Sequence, residues 1–230
     1  MEFPERFSNL PDYAFPRLRA LLDHHPAGGD VVHMTIGEPK HAFPAWVSDI
    51  LSGAVGGLNS YPANDGTPEL RNAIADWVKR RFAVGVDADT QVLALNGTRE
   101  GLYNAAMALL PEHKNGQKPV VLIPNPFYQV YMIASISVGA EQVFVPADAE
   151  NGFLPDYASV PAETLNRTVA AYICSPSNPQ GAIASREYLE TLIGLAEKYD
   201  FRIFADECYS EIYRANAPVG ALQVAHEMGA

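Results

Sequence analysis

Cysteine is nearly absent from this sequence: Cys174 and Cys208 are the only two in 230 residues. A disulfide-stapled secreted scaffold is therefore excluded, and both are expected to behave as small buried hydrophobes. Basic runs are missing too. The formal net charge is −11, and no lysine or arginine stripe could track a phosphate backbone, so nucleic acid is not an expected partner. No apolar stretch is long enough for a membrane span, and the start, MEFPERFSNLPDY, has proline and charge where a signal peptide needs an apolar run. The expectation is a soluble, cytoplasmic chain with no membrane partner. The histidines at 24, 25, 33, 41, 113 and 226 show no HExxH or similar spacing, so no metal site is expected. Internal repeats and low-complexity tracts are also lacking.

What remains is a globular balance, 48% apolar and 19% charged, which supplies enough side-chain surface for a core. The N-terminal region offers an amphipathic helix over 14–24, a turn at 26–29 and an apolar run over 31–36. Thr67 as cap and Pro68 at the first helical position start a second helix, with Leu70, Ile74, Trp77, Val78 and Arg81 on one face. Short apolar runs then alternate with helical patterns: strands at 92–95, 120–123, 142–145, 169–174 and 201–205, and helices at 100–110, 128–138 and 186–199. Continuously apolar strands between helices predict an α/β domain, its mostly parallel sheet covered by helices on both faces. Ligands of such sheets sit at the carboxyl ends of the strands.

Four segments fall on that rim: Asn96-Gly97-Thr98-Arg99, Pro124 to Tyr128, Ser175 to Gly181, and Asp206-Glu207-Cys208-Tyr209. The first is a glycine turn into a helix, whose free N–H groups could hold a phosphate, although an ordinary strand-to-helix connection has the same form. Tyr128 could stack on a flat ligand or simply fill the core. A carboxylate at a buried strand end, as at Asp206, requires a hydrogen-bonding or charged partner, structural or otherwise. The segment Ser-Pro-Ser-Asn-Pro-Gln-Gly is harder to read as mere structure, because two prolines, an asparagine and a glycine specify a particular rigid turn.

At this point the chain resembles the class I/II aminotransferases of the pyridoxal-5′-phosphate (PLP) enzymes. Asn178-Pro179-Gln180-Gly181 is similar to their Asn-Pro-x-Gly, and Asp206 with Tyr209 to their Asp-x-x-Tyr, 28 residues on from Asn178. Gly37-Glu38-Pro39, the run from Tyr61 through Gly66 to Leu70-Arg71, Asn96 to Glu100, and Pro126-Phe127-Tyr128-x-x-Tyr131 are similar to further motifs of that family, in the same order.

The resemblance implies a PLP-transferase large domain over 46–230, preceded by a small-domain segment over 1–45. It implies that Gly97, Thr98 and Arg99 hold the cofactor phosphate and that Tyr128 stacks on the ring. Asn178 and Tyr209 would bond the ring hydroxyl oxygen, and Asp206 the ring nitrogen, with Asp206 and Tyr209 taking part in catalysis. Tyr61 would reach the phosphate of a neighbouring subunit in a homodimer. Gly37 and Asn178 would approach the substrate carboxylate. Cis bonds are implied before Pro126 and Pro179.

The implied reaction moves an amino group between an L-amino acid and a 2-oxo acid. PLP acts as an electron sink, and a carboxylate beside its ring nitrogen favours the protonated form that deepens the sink. The family's cofactor lysine is expected roughly thirty to forty residues after the aspartate. This sequence ends at Ala230, 24 residues after Asp206, and its last lysine, Lys198, comes earlier. The expectation is thus the N-terminal portion of such an enzyme, without the lysine; a non-catalytic PLP-binding remnant and a related lyase are the alternatives.

Overall fold

The structure, a computed structural model, describes residues 5–10, 12–34, 37–38 and 41–230. Pro39 of the Gly-Glu-Pro motif and residues 35–36 of the first apolar run lie outside the described residues. The chain forms two compact units, Met1–Ala63 and Asn64–Ala230, whereas the sequence divides it at 45/46.

The first unit carries α1 (Ala14–Leu22) and α2 (Trp46–Ala54), the latter running into a 3-10 segment, Val55–Asn59. Neither α1 nor α2 has a buried residue.

The second unit begins with α3 (Pro68–Phe82). Thr67 accepts a hydrogen bond from the Leu70 N–H at 3.3 Å, Pro68 occupies the first turn, and Ala83 ends the helix at φ 57°. Then follow α4 (Thr98–Leu109), β1 (Val120–Asn125), α5 (Gln129–Ser137), β2 (Glu141–Pro146), α6 (Ala162–Arg167), β3 (Thr168–Cys174), α7 (Arg186–Tyr199), β4 (Arg202–Asp206) and α8 (Ala221–Met228). The strands form one parallel sheet in the order β2-β1-β3-β4.

The central strands β1 and β3 are buried almost throughout, and the outer pair is partly exposed. That difference explains why the central strands read as unbroken apolar runs. Val120, Leu122, Ala171 and Ile173 pack with Leu165 of α6 and Leu192 of α7 on one face. On the other, Val121, Ile123, Ala170 and Tyr172 meet Tyr131 and Met132 of α5 and Leu102 of α4. Helices therefore cover both faces, as expected from the sequence.

One expected strand is absent. Residues 92–95 form none, and Leu93 and Leu95 remain exposed. A strand requires a neighbour to pair with, and the sheet includes only β1 to β4; the backbone of this stretch is tied instead by Ala94 N–H to the Asp65 carbonyl at 3.4 Å. Short helices at α2, α6 and α8 are not expected from the sequence, because six to nine residues give little periodicity to read.

Arg71, from the Leu-Arg pair, explains itself structurally. Its buried guanidinium donates to the Gly66 carbonyl (2.6 Å), Asp65 (2.7 Å), Asp89 (3.0 Å) and the Ala88 carbonyl (3.1 Å). It pins the turn before α3 to the segment after it. Gly66 needs its glycine, since at φ 87° a Cβ would lie 2.5 Å from the Cβ of Ala94. Replacing Arg71 by Met strands these acceptors, and we expect a loss of about 3 kcal/mol in denaturant unfolding, with Arg71→Lys intermediate. An unchanged unfolding midpoint would contradict this role.

Candidate active site

The site is built where β1, β3 and β4 end. Register places Cys174 beside Asp206, and Ser175 N–H donates to the Asp206 carbonyl at 3.1 Å. The sheet ladder thus brings the proline-rich turn to the carboxylate strand. That turn is fixed from within: Ser177 N–H donates to the Ala182 carbonyl and Gly181 N–H to the Ser177 carbonyl, both at 2.8 Å. The Ser177 and Ser175 hydroxyls accept from the Ala182 and Ala184 N–H groups, each at 3.0 Å. The bonds Asn125-Pro126 and Asn178-Pro179 are cis, as the resemblance implies, and so is Ser175-Pro176, which no motif flagged.

Asp206 is buried, 8% exposed. The Tyr131 hydroxyl donates to Oδ2 at 2.6 Å and the Cys208 N–H to Oδ1 at 3.3 Å. Burial, followed by the neighbouring carboxylate, holds the Tyr131 phenol far above its ordinary range, so it stays a donor. A neutral donor of this kind fixes the position of the carboxylate without bringing a counter-charge to it. Asn178 Nδ2 donates to the Tyr209 hydroxyl at 3.3 Å, and burial raises the Tyr209 phenol. The chain beyond Tyr209 is held by Arg81, whose guanidinium donates to the Ser210 (3.2 Å) and Pro218 (3.0 Å) carbonyls.

A cavity of about 250 Å³ is lined by Thr98, Tyr128, Tyr131, Asn178, Asp206 and Tyr209, among others. Its size suits a small flat ligand rather than a peptide. Gly97, at φ 154° and ψ 148°, leads into α4 in a backbone geometry open mainly to glycine. Arg99 Nε donates to the Tyr128 hydroxyl at 2.7 Å, and the Tyr128 ring meets that of Tyr131 edge-on at 5.8 Å.

Of the residues singled out from sequence, Thr98, Tyr128, Asn178, Asp206 and Tyr209 share this cavity, and Gly97 and Arg99 flank it. Gly37 and Tyr61 belong to the other compact unit, where Tyr61 is fully exposed. Sequence reasoning quoted Tyr131 within a motif but gave it no role. Its spacing, three residues after Tyr128 at the start of a helix, puts both on one face and was the available signal. Phe153 and Pro155, also in the wall, come from an irregular loop with no signal to read. Among the described residues no cluster of three or more His, Cys, Asp or Glu side chains is placed to hold a metal ion, and no helix is long and apolar enough to cross a membrane.

Both thiols line the cavity, and neither is the fully buried hydrophobe expected from sequence: Cys174 is partly buried and Cys208 exposed, because both sit at the strand rim where the cavity opens. Burial and then Asp206 push Cys174 up to about 11 and Cys208 up to about 12. The folded protein therefore retains thiol protons that an unfolded chain loses from about pH 8.5 upward. Near pH 8 we expect Cys208 to alkylate about a hundredfold more slowly in the native protein than in denaturant, accelerating as pH rises. A native rate that levels off near pH 9 would contradict this.

Comparison with known proteins fits the geometry. The profile of the aminotransferase class I and II family matches residues 29–229. The LL-diaminopimelate aminotransferase of Desulforudis audaxviator is 37% identical over 231 residues, 98% of this chain and 58% of that enzyme. That of Dehalococcoides mccartyi is 34% identical over 235 residues, 100% of this chain and 59% of the relative. An aminotransferase structure from Neisseria meningitidis superposes with a TM-score of 0.90 at 38% identity, over 98% of this chain and 57% of the other. A Thermus thermophilus aspartate aminotransferase mutant gives 0.83 at 28%, over 98% and 58%. The chain thus spans 58% of the length of the first of these curated relatives. With a match along nearly all of its own length, and with the motif residues assembled at one strand rim, the chain belongs to the class I and II aminotransferases.

Proposed function

We propose that this chain is the cofactor-binding portion of a PLP-dependent aminotransferase that moves an amino group between an L-amino acid and a 2-oxo acid. PLP is the cofactor of the family, and the residues present fit it. The observation that carries the reading is the buried Asp206 carboxylate, held by two donors at the base of a cavity whose wall includes the Asn178–Tyr209 pair.

When bound, PLP supplies a ring that takes up the electron pair released as the amino acid loses its Cα proton. The protein's part is to bind and tune that ring. Asp206 presents a negative charge in a site shielded from water, which favours a protonated ring nitrogen. Asn178 and Tyr209 reach the ring hydroxyl oxygen, and Tyr128 offers an aromatic face. The N–H groups of Thr98 and Arg99 at the start of α4 meet the phosphate where the helix dipole favours an anion, and Gly97 permits the close approach.

In the same reading Gly37 and Asn178 meet the substrate carboxylate, and Tyr61 serves the phosphate of a partner subunit in a homodimer. The chemistry also needs an amine to hold the cofactor and move the proton. Among the described residues no lysine lines the cavity, and Lys198 lies over the Tyr199 ring, 4.9 Å from its centre. The reading assigns the amine to the part of the relatives' length that this chain does not span.

A full-length protein assayed with LL-diaminopimelate, aspartate and alanine as donors to 2-oxoglutarate tests the reaction. Asp206→Asn is expected to lower turnover about a hundredfold or more while PLP is retained through its phosphate. Near-normal turnover in that variant would remove the role given to Asp206. In sedimentation the full-length protein should be a dimer, and Tyr61→Phe should weaken PLP binding about tenfold. A monomer with unimpaired PLP binding would overturn the shared site.

A further inference from the structure

Tyr172 lies wholly buried in the middle of β3 and does not line the cavity. A central parallel strand ordinarily fills such a position with an aliphatic side chain, and a buried hydroxyl adds the requirement for a partner. Here the hydroxyl donates to the Leu102 carbonyl of α4 at 3.0 Å. The ring lies 4.5 Å from that of Tyr131 with the planes 13° apart, a stacked pair. Its other side meets Phe204 at 5.0 Å, two residues before Asp206. Tyr131 in turn holds Asp206 at 2.6 Å. One side chain thus touches the helix whose N-terminus borders the cavity and the phenol that fixes the carboxylate.

We infer that Tyr172 is a positioning residue, which sets the separation between the start of α4 and the Asp206 carboxylate by bracing Tyr131 against the α4 backbone. This rests on the reading of the cavity as a PLP site. PLP is rigid, with its phosphate and its ring nitrogen at opposite ends, so both anchors must stand at one spacing for it to bind well. Inorganic phosphate uses the α4 end alone and is indifferent to that spacing.

The two ligands separate a positioning role from a merely structural one. In the full-length protein, Tyr172→Leu removes both the stack and the tether, and Tyr172→Phe removes the tether alone. We expect Tyr172→Leu to weaken PLP about tenfold or more and to leave the dissociation constant for inorganic phosphate within about twofold of the unmodified protein. Tyr172→Phe should restore part of the loss, to about threefold, because the ring still supports Tyr131. If Tyr172→Leu does not fold, Tyr172→Phe carries the test, with a loss for PLP and none for phosphate. Equal losses for both ligands, or PLP binding unchanged in a folded variant, would overturn the inference. Failure of the unmodified full-length protein to bind PLP would overturn the aminotransferase reading instead.

Discussion

Asp206 ends β4 with its carboxylate buried, and a buried anion without partners costs several kcal/mol. Two donors offset that cost, and each imposes an arrangement on its surroundings. The Cys208 N–H can reach Oδ1 only if the chain turns sharply after the strand. The Tyr131 hydroxyl can reach Oδ2 only if α5 packs on the face of the sheet with its first turn near the rim. Stacking on Tyr172 then fixes the Tyr131 ring. The charge at one strand end therefore constrains β3, β4, α5 and the turn between Cys174 and Ala182 together.

The wall of the resulting cavity combines opposite preferences. The first turn of α4 presents backbone N–H groups and the positive end of a helix dipole, and Asp206 presents a carboxylate. A ligand that is anionic at one end and protonated at the other fits both at once. The same wall includes an aromatic ring, Tyr128, and an amide-phenol pair, Asn178 and Tyr209, which suit a flat ring carrying an oxygen. The parallel sheet delivers these groups from distant parts of the sequence because every strand ends on the same rim.

Much of this was legible in the sequence. The helix over 186–199 was read to the residue, since Ser185 caps it, Asp200 leaves it at φ 53°, and its apolar face is regular. The central strands β1 and β3 were legible because burial on both faces makes them unbroken apolar runs. The failure at residues 92–95 has the same root: an apolar run reports burial or pairing in general, without naming the partner, and this one is not paired within the sheet. At the candidate site, residue types in ordered motifs pointed to Asp206, Asn178 and Tyr209, which the structure brings to one cavity. Tyr131 and Tyr172 were not assigned roles, because a tyrosine that supports another side chain looks in sequence like any core aromatic.

On the proposed function, the Asp206 carboxylate, fixed in place by Tyr131, favours the protonated form of the cofactor ring nitrogen. The most direct measurement is the ¹⁵N chemical shift of ring-labelled PLP bound to the full-length protein, compared with Asp206→Asn. The account predicts a pyridinium-type resonance in the unmodified protein that moves to the unprotonated range in the variant. An unprotonated ring nitrogen in both, or a protonated one in both, would contradict it.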